Sequence, residues 1–148
     1  MRFIPTRLHA IADYGTAVLL FALPWLLGLA AAERGEGYSA LVAVCVAAGA
    51  GVALLSLVTN YEGGLLPAVP MPAHLTADAA LGAVLIAAPW LFGFAETFGD
   101  WTWAVFVAIG LMEIGAALFT HTRSPAAVPA DPRPGTGSHM KAQRPAGV

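Results

Sequence analysis

A chain of 148 residues with 58% hydrophobic and only 11% charged residues and a mean hydropathy of +0.73 has the size of one domain. It lacks the roughly 25% of charged residues that cover a water-facing surface, so it belongs in a lipid bilayer. Its net charge of −2 argues against a nucleic-acid partner, and its single cysteine, Cys45, excludes an internal disulfide and a Cys-based zinc site.

Four segments reach the roughly 20 apolar residues needed to cross a bilayer. The first runs from about Leu8 to Ala31, after Arg2 and Arg7. It carries His9 and Asp13 at i, i+4 and the phrase "ALPWLLGLA" over residues 22–30, and is read as part of the mature fold, not as a cleaved signal. The second runs from about Tyr38 to Thr59 and contains the small-residue run "AAGAGVALLS". The third, from about Ala73 to Ala95, repeats the first: His74 and Asp78, then "AAPWLFGFA". The fourth, from about Trp101 to Thr120, holds "GLMEIGAALF" with Glu113 near its middle. Continuous apolar segments of this length are helices, because backbone amides in hydrocarbon need internal partners. The expectation is an all-α polytopic membrane protein with a four-helix membrane domain over residues 1–122. Residues 123–148, rich in Pro, Ala and Gly with four basic residues, are expected to form a disordered cytoplasmic tail.

The halves align at an offset of 65 in their first helices. His9 meets His74, Asp13 meets Asp78, Pro24-Trp25 meets Pro89-Trp90, and Gly28 meets Gly93. The second helices align at 61, with Gly49 on Gly110, Leu57 on Leu118 and Thr59 on Thr120. The chain is thus two tandem helical hairpins, about 8–60 and 73–122, entering the membrane in the same direction about a pseudo-twofold axis. Each proline is expected to kink or end its helix, with Trp25 and Trp90 at headgroup level and Gly28 and Gly93 in a close turn. The glycines of the second and fourth helices are expected at the pseudo-twofold seam or at a dimer interface.

Basic residues gather before the first span and after the fourth, while "AERGEG" has one Arg against two Glu and "ETFGD" has none. Both termini are therefore expected in the cytoplasm. The central loop "NYEGGLLPAVPMP" should share that side, although it carries no Lys or Arg.

The repeated Pro-Trp phrase with an upstream His and Asp resembles the SPW repeat family of small bacterial integral membrane proteins, over roughly residues 5–121. The family's motif has Ser before Pro-Trp, where this chain has Leu23 and Ala88. The resemblance implies a bacterial inner-membrane location and the hairpin repeat, and no activity.

The candidate polar cluster is His9, Asp13, His74, Asp78 and Glu113. The bland reading is that the His/Asp pairs fix helix register. The same four residues are chemically adequate for a divalent metal, and His supports a proton or ion relay. Because His and Asp at i, i+4 are common without metal, no metal and no cofactor is expected. Glu113, an intramembrane carboxylate, either ties helices together as a neutral group or lines a transport path. No phosphate loop, nucleotide fingerprint or nucleophile elbow is present, so no enzyme is expected. The favoured expectation is a structural or accessory membrane component, with the bilayer and a homo-oligomer or membrane-protein partner as its contacts. The alternative is a small proton or ion transporter acting as an oligomer.

Overall fold

The computed structural model describes residues 1–27, 36–96 and 101–128. They form four helices: α1 (Thr6–Leu26), α2 (Glu36–Val58), α3 (Met71–Leu91) and α4 (Thr102–Phe119). Each is long and apolar enough to span a membrane. Among the described residues there is no strand, only two isolated parallel bridges, Ile4 with Thr120 and Val69 with Thr59.

Both repeats start their first helix in the same way. Pro5 and Pro70 are the N-caps, held extended at φ −64° and −70°, where a missing N–H costs nothing. Their carbonyls accept the first turn's N–H groups, from His9 at 3.1 Å and from His74 at 3.2 Å. These caps start α1 and α3 two residues before the hydropathy limits.

The Pro-Trp phrase proves to be a helix stop placed just beyond the proline. α1 and α3 run through Pro24 and Pro89 and end two residues later. After Pro89 the chain closes a Schellman motif. Gly93 takes φ +71°, its N–H points to the Trp90 carbonyl at 3.3 Å, and the Phe94 and Ala95 N–H groups reach the Pro89 carbonyl at 2.8 and 2.9 Å. Phe94 thereby folds back, fully buried, against Phe106 with ring centroids 5.0 Å apart. Trp25 and Trp90 stay exposed, as interfacial tryptophans do. Gly28, the counterpart of Gly93, lies outside the described residues.

Gly49 and Gly110 pack each hairpin on itself, away from the seam expected for them, while Gly51 and Gly115 face open space. Gly82 and Gly110 bring α3 and α4 into backbone contact, and a Cβ on Gly82 would sit 2.6 Å from the Gly110 carbonyl oxygen. The same crossing in the first repeat is looser: a Cβ on Gly49 would lie 3.2 Å from the Ala17 carbonyl oxygen. The space between hairpins is filled by larger side chains, chiefly Leu20, Leu23, Leu41, Cys45, Leu85 and Phe106. Leu23 and Ala88, where the motif of the resembled family has Ser, are both buried in this apolar cluster.

The bridges exchange the ends of the two repeats. The segment before α1 pairs with the end of α4, through Ile4 N–H to Phe119 O at 2.9 Å and His121 N–H to Ile4 O at 3.0 Å. The segment before α3 pairs with the end of α2, through Val69 N–H to Val58 O and Asn60 N–H to Val69 O, both 2.8 Å. Arg2 donates to the Ala117 and Thr120 carbonyls, which closes the C-terminal end of α4 with a cation. Of the tail expected to be disordered, residues 129–148 lie outside the described residues. Residues 123–128 turn back over the central loop: Ser124 is buried, and the Asn60 side chain brackets Val128 with hydrogen bonds of 2.9 and 2.8 Å.

Gly93 offers a direct test of the stop. Nothing lies within 4 Å of a Cβ built there, so Gly93→Ala carries only the left-handed backbone penalty, about 1–2 kcal/mol. Thermal or denaturant unfolding in detergent is expected to show that loss, whereas Gly115→Ala, in open helical space, is expected to be neutral or mildly stabilising.

Candidate functional site

The first two turns of α1 and α3 meet where α2 and α4 end. The i, i+4 spacing puts His9 and Asp13 on one face of α1, and His74 and Asp78 on one face of α3. Both faces turn inward, and none of the four residues is more than 2% exposed. The His9 Nε2 and His74 Nε2 atoms lie 3.1 Å apart. Asp78 Oδ2 is 3.1 Å from each of them. Asp13 Oδ2 is 3.1 Å from His74 Nε2, and Asp13 Oδ1 is 3.5 Å from His9 Nε2. One ligand atom from each of the four residues can be chosen so that all lie within 4.8 Å of one another.

The far sides of both imidazoles are held by threonines that close the other two helices. Thr59 Oγ1 is 2.8 Å from His74 Nδ1, and Thr120 Oγ1 is 3.1 Å from His9 Nδ1. Each threonine belongs to one repeat and its histidine to the other. The Thr59 hydroxyl donates its one proton to the Leu55 carbonyl at 2.6 Å. Its oxygen therefore accepts from His74 Nδ1–H, and a neutral His74 presents a bare Nε2 to the centre.

The two aspartates are supported unequally. Asp13 Oδ2 accepts from Ser56 Oγ at 3.0 Å and from the Tyr61 hydroxyl at 2.8 Å. The position matching Ser56 at the 61-residue offset is Ala117, buried and without a donor. Tyr61 lies beyond the membrane segment, and burial pushes its phenol up, so it stays protonated as a donor. The central loop is thus a packed cover. Gly63 and Gly64 let it approach, since a Cβ on Gly63 would meet the Ala10 Cβ at 2.7 Å and one on Gly64 would overlap the Thr59 carbonyl. Tyr14 ties it down by donating to the Gly63 carbonyl at 2.7 Å.

Glu62 fastens the outer edge of the cover by accepting from Thr6 Oγ1 at 3.0 Å. Partial burial pushes the Glu62 carboxyl up. Hydrogen bonds from Thr6, its own backbone and Ser124, together with the charge of Arg7, outweigh that and hold it below the ordinary glutamate value.

Glu113 is 3% exposed and continues the polar centre deeper into the membrane. Its Cβ packs where Gly82 has no side chain, and its carboxyl interacts with Thr16 and with the charges of Asp78, Asp13 and His9. Thr16 Oγ1 is a buried polar atom without a hydrogen-bond partner among the described residues. The offset position is Val52, also buried, so Glu113 has no counterpart in the first repeat. Pro24, Trp25, Pro89, Trp90 and Gly93 take no part in this centre. They stand at the opposite ends of α1 and α3.

Sequence reading found the five His, Asp and Glu members and missed the hydroxyls of Thr16, Ser56, Thr59, Tyr61 and Thr120. Thr59 and Thr120 had a usable signal, since they are a matched pair in the repeat alignment. Ser56 and Tyr61 had none, because neither repeats.

A family model for the SPW repeat domain matches residues 7–120, which includes every residue of the centre. The chain belongs to the SPW repeat family. No curated protein and no solved structure matches it. In this SPW repeat protein the repeat supplies one His and one Asp per copy and closes on itself as a single centre.

Thr59→Val and Thr120→Val keep side-chain shape and remove the hydrogen-bond partner of a buried ring nitrogen. Each is expected to cost about 1–3 kcal/mol in detergent unfolding, with similar losses at the two matched sites. Glu62 carries a pH test. A carboxyl held low in the folded chain stabilises above its unfolded value and loses that contribution as pH falls through its folded value. The stability difference between the native chain and Glu62→Gln is therefore expected to shrink as pH drops below the ordinary glutamate range in acid-titrated thermal melts.

Proposed function

We infer that this SPW repeat protein is a non-catalytic structural or accessory component of the bacterial inner membrane. It spans the bilayer four times with both termini in the cytoplasm, where Arg2, Arg7 and Arg123 gather on one end. The observation that carries the reading is the enclosure of the centre. His9, Asp13, His74 and Asp78 are each buried to within 2% of full enclosure, and they are held by contacts both within each repeat and across the seam between the repeats. Such a centre joins two hairpins and leaves no open position for a substrate. The outward surface is a belt of exposed Leu, Ile, Val, Phe and Trp side chains, among them Ile11, Val18, Val84 and Leu111. It suits lipid, a second copy of the chain or an apolar helix of a membrane partner.

One observation favours a second reading, a small proton or ion transporter. Glu113 lies beside the Thr16 hydroxyl, deep in α4, and a buried intramembrane carboxylate is the kind of group found on ion paths. Proteoliposomes separate the two. The native chain is expected to give no proton or cation flux above empty vesicles, and Glu113→Gln is expected to leave that baseline unchanged. Flux from the native chain that Glu113→Gln abolishes, with helicity intact by circular dichroism, would replace the accessory reading with the transporter.

A further inference from the structure

We propose that His9, Asp13, His74 and Asp78 are the four ligands of a divalent transition-metal ion such as zinc, bound at the seam between the two repeats. The geometry comes first. Zinc binds imidazole nitrogen and carboxylate oxygen at about 2.0–2.2 Å, so the corners of a tetrahedral site stand about 3.3–3.6 Å apart. The His–His contact is 3.1 Å and the four His–Asp contacts are 3.1, 3.1, 3.1 and 3.5 Å. These contacts stand within about half an ångström of such edges, and one ligand atom from each of the four residues lies within 4.8 Å of the others.

The outer contacts are those of metal-ligating histidines. Such residues donate their second ring N–H to an oxygen, which fixes the tautomer and aims the bare nitrogen inward. Thr59 does this for His74, its own proton being committed to Leu55 O, and Thr120 sits at the matching nitrogen of His9. Ser56 and Tyr61 orient the Asp13 carboxylate in the same manner.

Charge gives the third argument. Two buried carboxylates carry no ion pair with Lys or Arg among the described residues. Their charged partners are the two histidines alone. One proton shared between the facing Nε2 atoms leaves a net negative charge inside the membrane. Two protons give each ring a carboxylate acceptor but bring two imidazolium cations together with their Nε2 atoms 3.1 Å apart. A divalent cation cancels both carboxylates and accepts both nitrogen lone pairs. Four protein ligands with near-complete burial make a closed, structural type of site. Two imidazoles with two carboxylates suit zinc or a similar divalent ion better than copper(I), which takes thiolates. Cys45 belongs to the separate apolar cluster. The ion would be held whether the protein is accessory or a transporter, so the proposal stands apart from that choice.

The full-length protein, purified in detergent and freed of metal by chelation, is to be incubated with Zn2+, desalted and assayed by plasma mass spectrometry. About one zinc per chain is expected, together with a higher unfolding temperature that a chelator reverses. Co2+ in its place is expected to give the intense visible bands of four-coordinate cobalt. His9→Ala and His74→Ala are expected to reduce retained metal by about tenfold or more. The double variant His121→Ala, His139→Ala, which removes the histidines outside the centre, is expected to retain it. The proposal is overturned if folded native protein retains no zinc, if its cobalt spectrum is the weak one of six-coordination, or if a folded His74→Ala chain retains the metal. Should the histidine variants not fold, the native cobalt spectrum and the chelator-dependent unfolding decide.

Discussion

Two carboxylates and two imidazoles, enclosed in a chain whose outer face is apolar, are the constraint on which this structure turns. An unpaired charge in such a place costs several kcal/mol, so each of these groups needs partners beyond the one its own helix supplies at i, i+4. Those partners come from the last residues of α2 and α4 and from the loop between the repeats. The exchanged bridges Ile4–Thr120 and Val69–Thr59 hold the two threonines in place. The glycines at 63 and 64 let the loop press Tyr61 onto Asp13. Features that look unrelated along the chain thus answer one electrostatic need.

The membrane-facing remainder is built on different physics. Lipid is as apolar as leucine, so helices there gain little from hiding hydrophobic surface and associate through close packing. Within each hairpin that packing is backbone against small residue, tightest at Gly82 and Gly110. Between hairpins, interlocking Leu and Phe side chains fill the upper part and the polar centre fills the lower part. The duplication is exact where the centre demands it, at His, Asp and the capping Thr. It relaxes around them: Ser56 faces Ala117 in the alignment, Val52 faces Glu113, and Thr16 faces Leu81. The two aspartates consequently sit in unequal surroundings.

Much of this fold was legible before any coordinates, for physical reasons. Spans follow from hydropathy because the bilayer tolerates few alternatives. The His9/Asp13 and His74/Asp78 faces follow from helical spacing, and their meeting follows from a parallel repeat. The helix ends were less legible. A proline announces trouble for a helix, but in α3 Gly93 sets the stop, because among the described residues it alone takes the left-handed turn. Gly49 and Gly110 were readable as contact residues and not as to which helix they contact, since small side chains mark closeness without naming a neighbour. Tyr61 was hidden for another reason: it follows the span in a stretch with no periodicity, and only the fold of the loop carries it back over Asp13.

The crossed arrangement also sets an order of events at the membrane. Each hairpin carries half of the centre, one His and one Asp, together with the threonine that serves the other half. When α1 and α2 leave the ribosome, His9 and Asp13 enter the bilayer with Thr120 and Asp78 still unmade. Until its twin arrives the first hairpin has Ser56 and Tyr61 for Asp13 but lacks the hydroxyl that serves His9. Docking of the second hairpin then completes both halves in one step, which makes assembly of this chain an event between repeats, much as if two subunits had met.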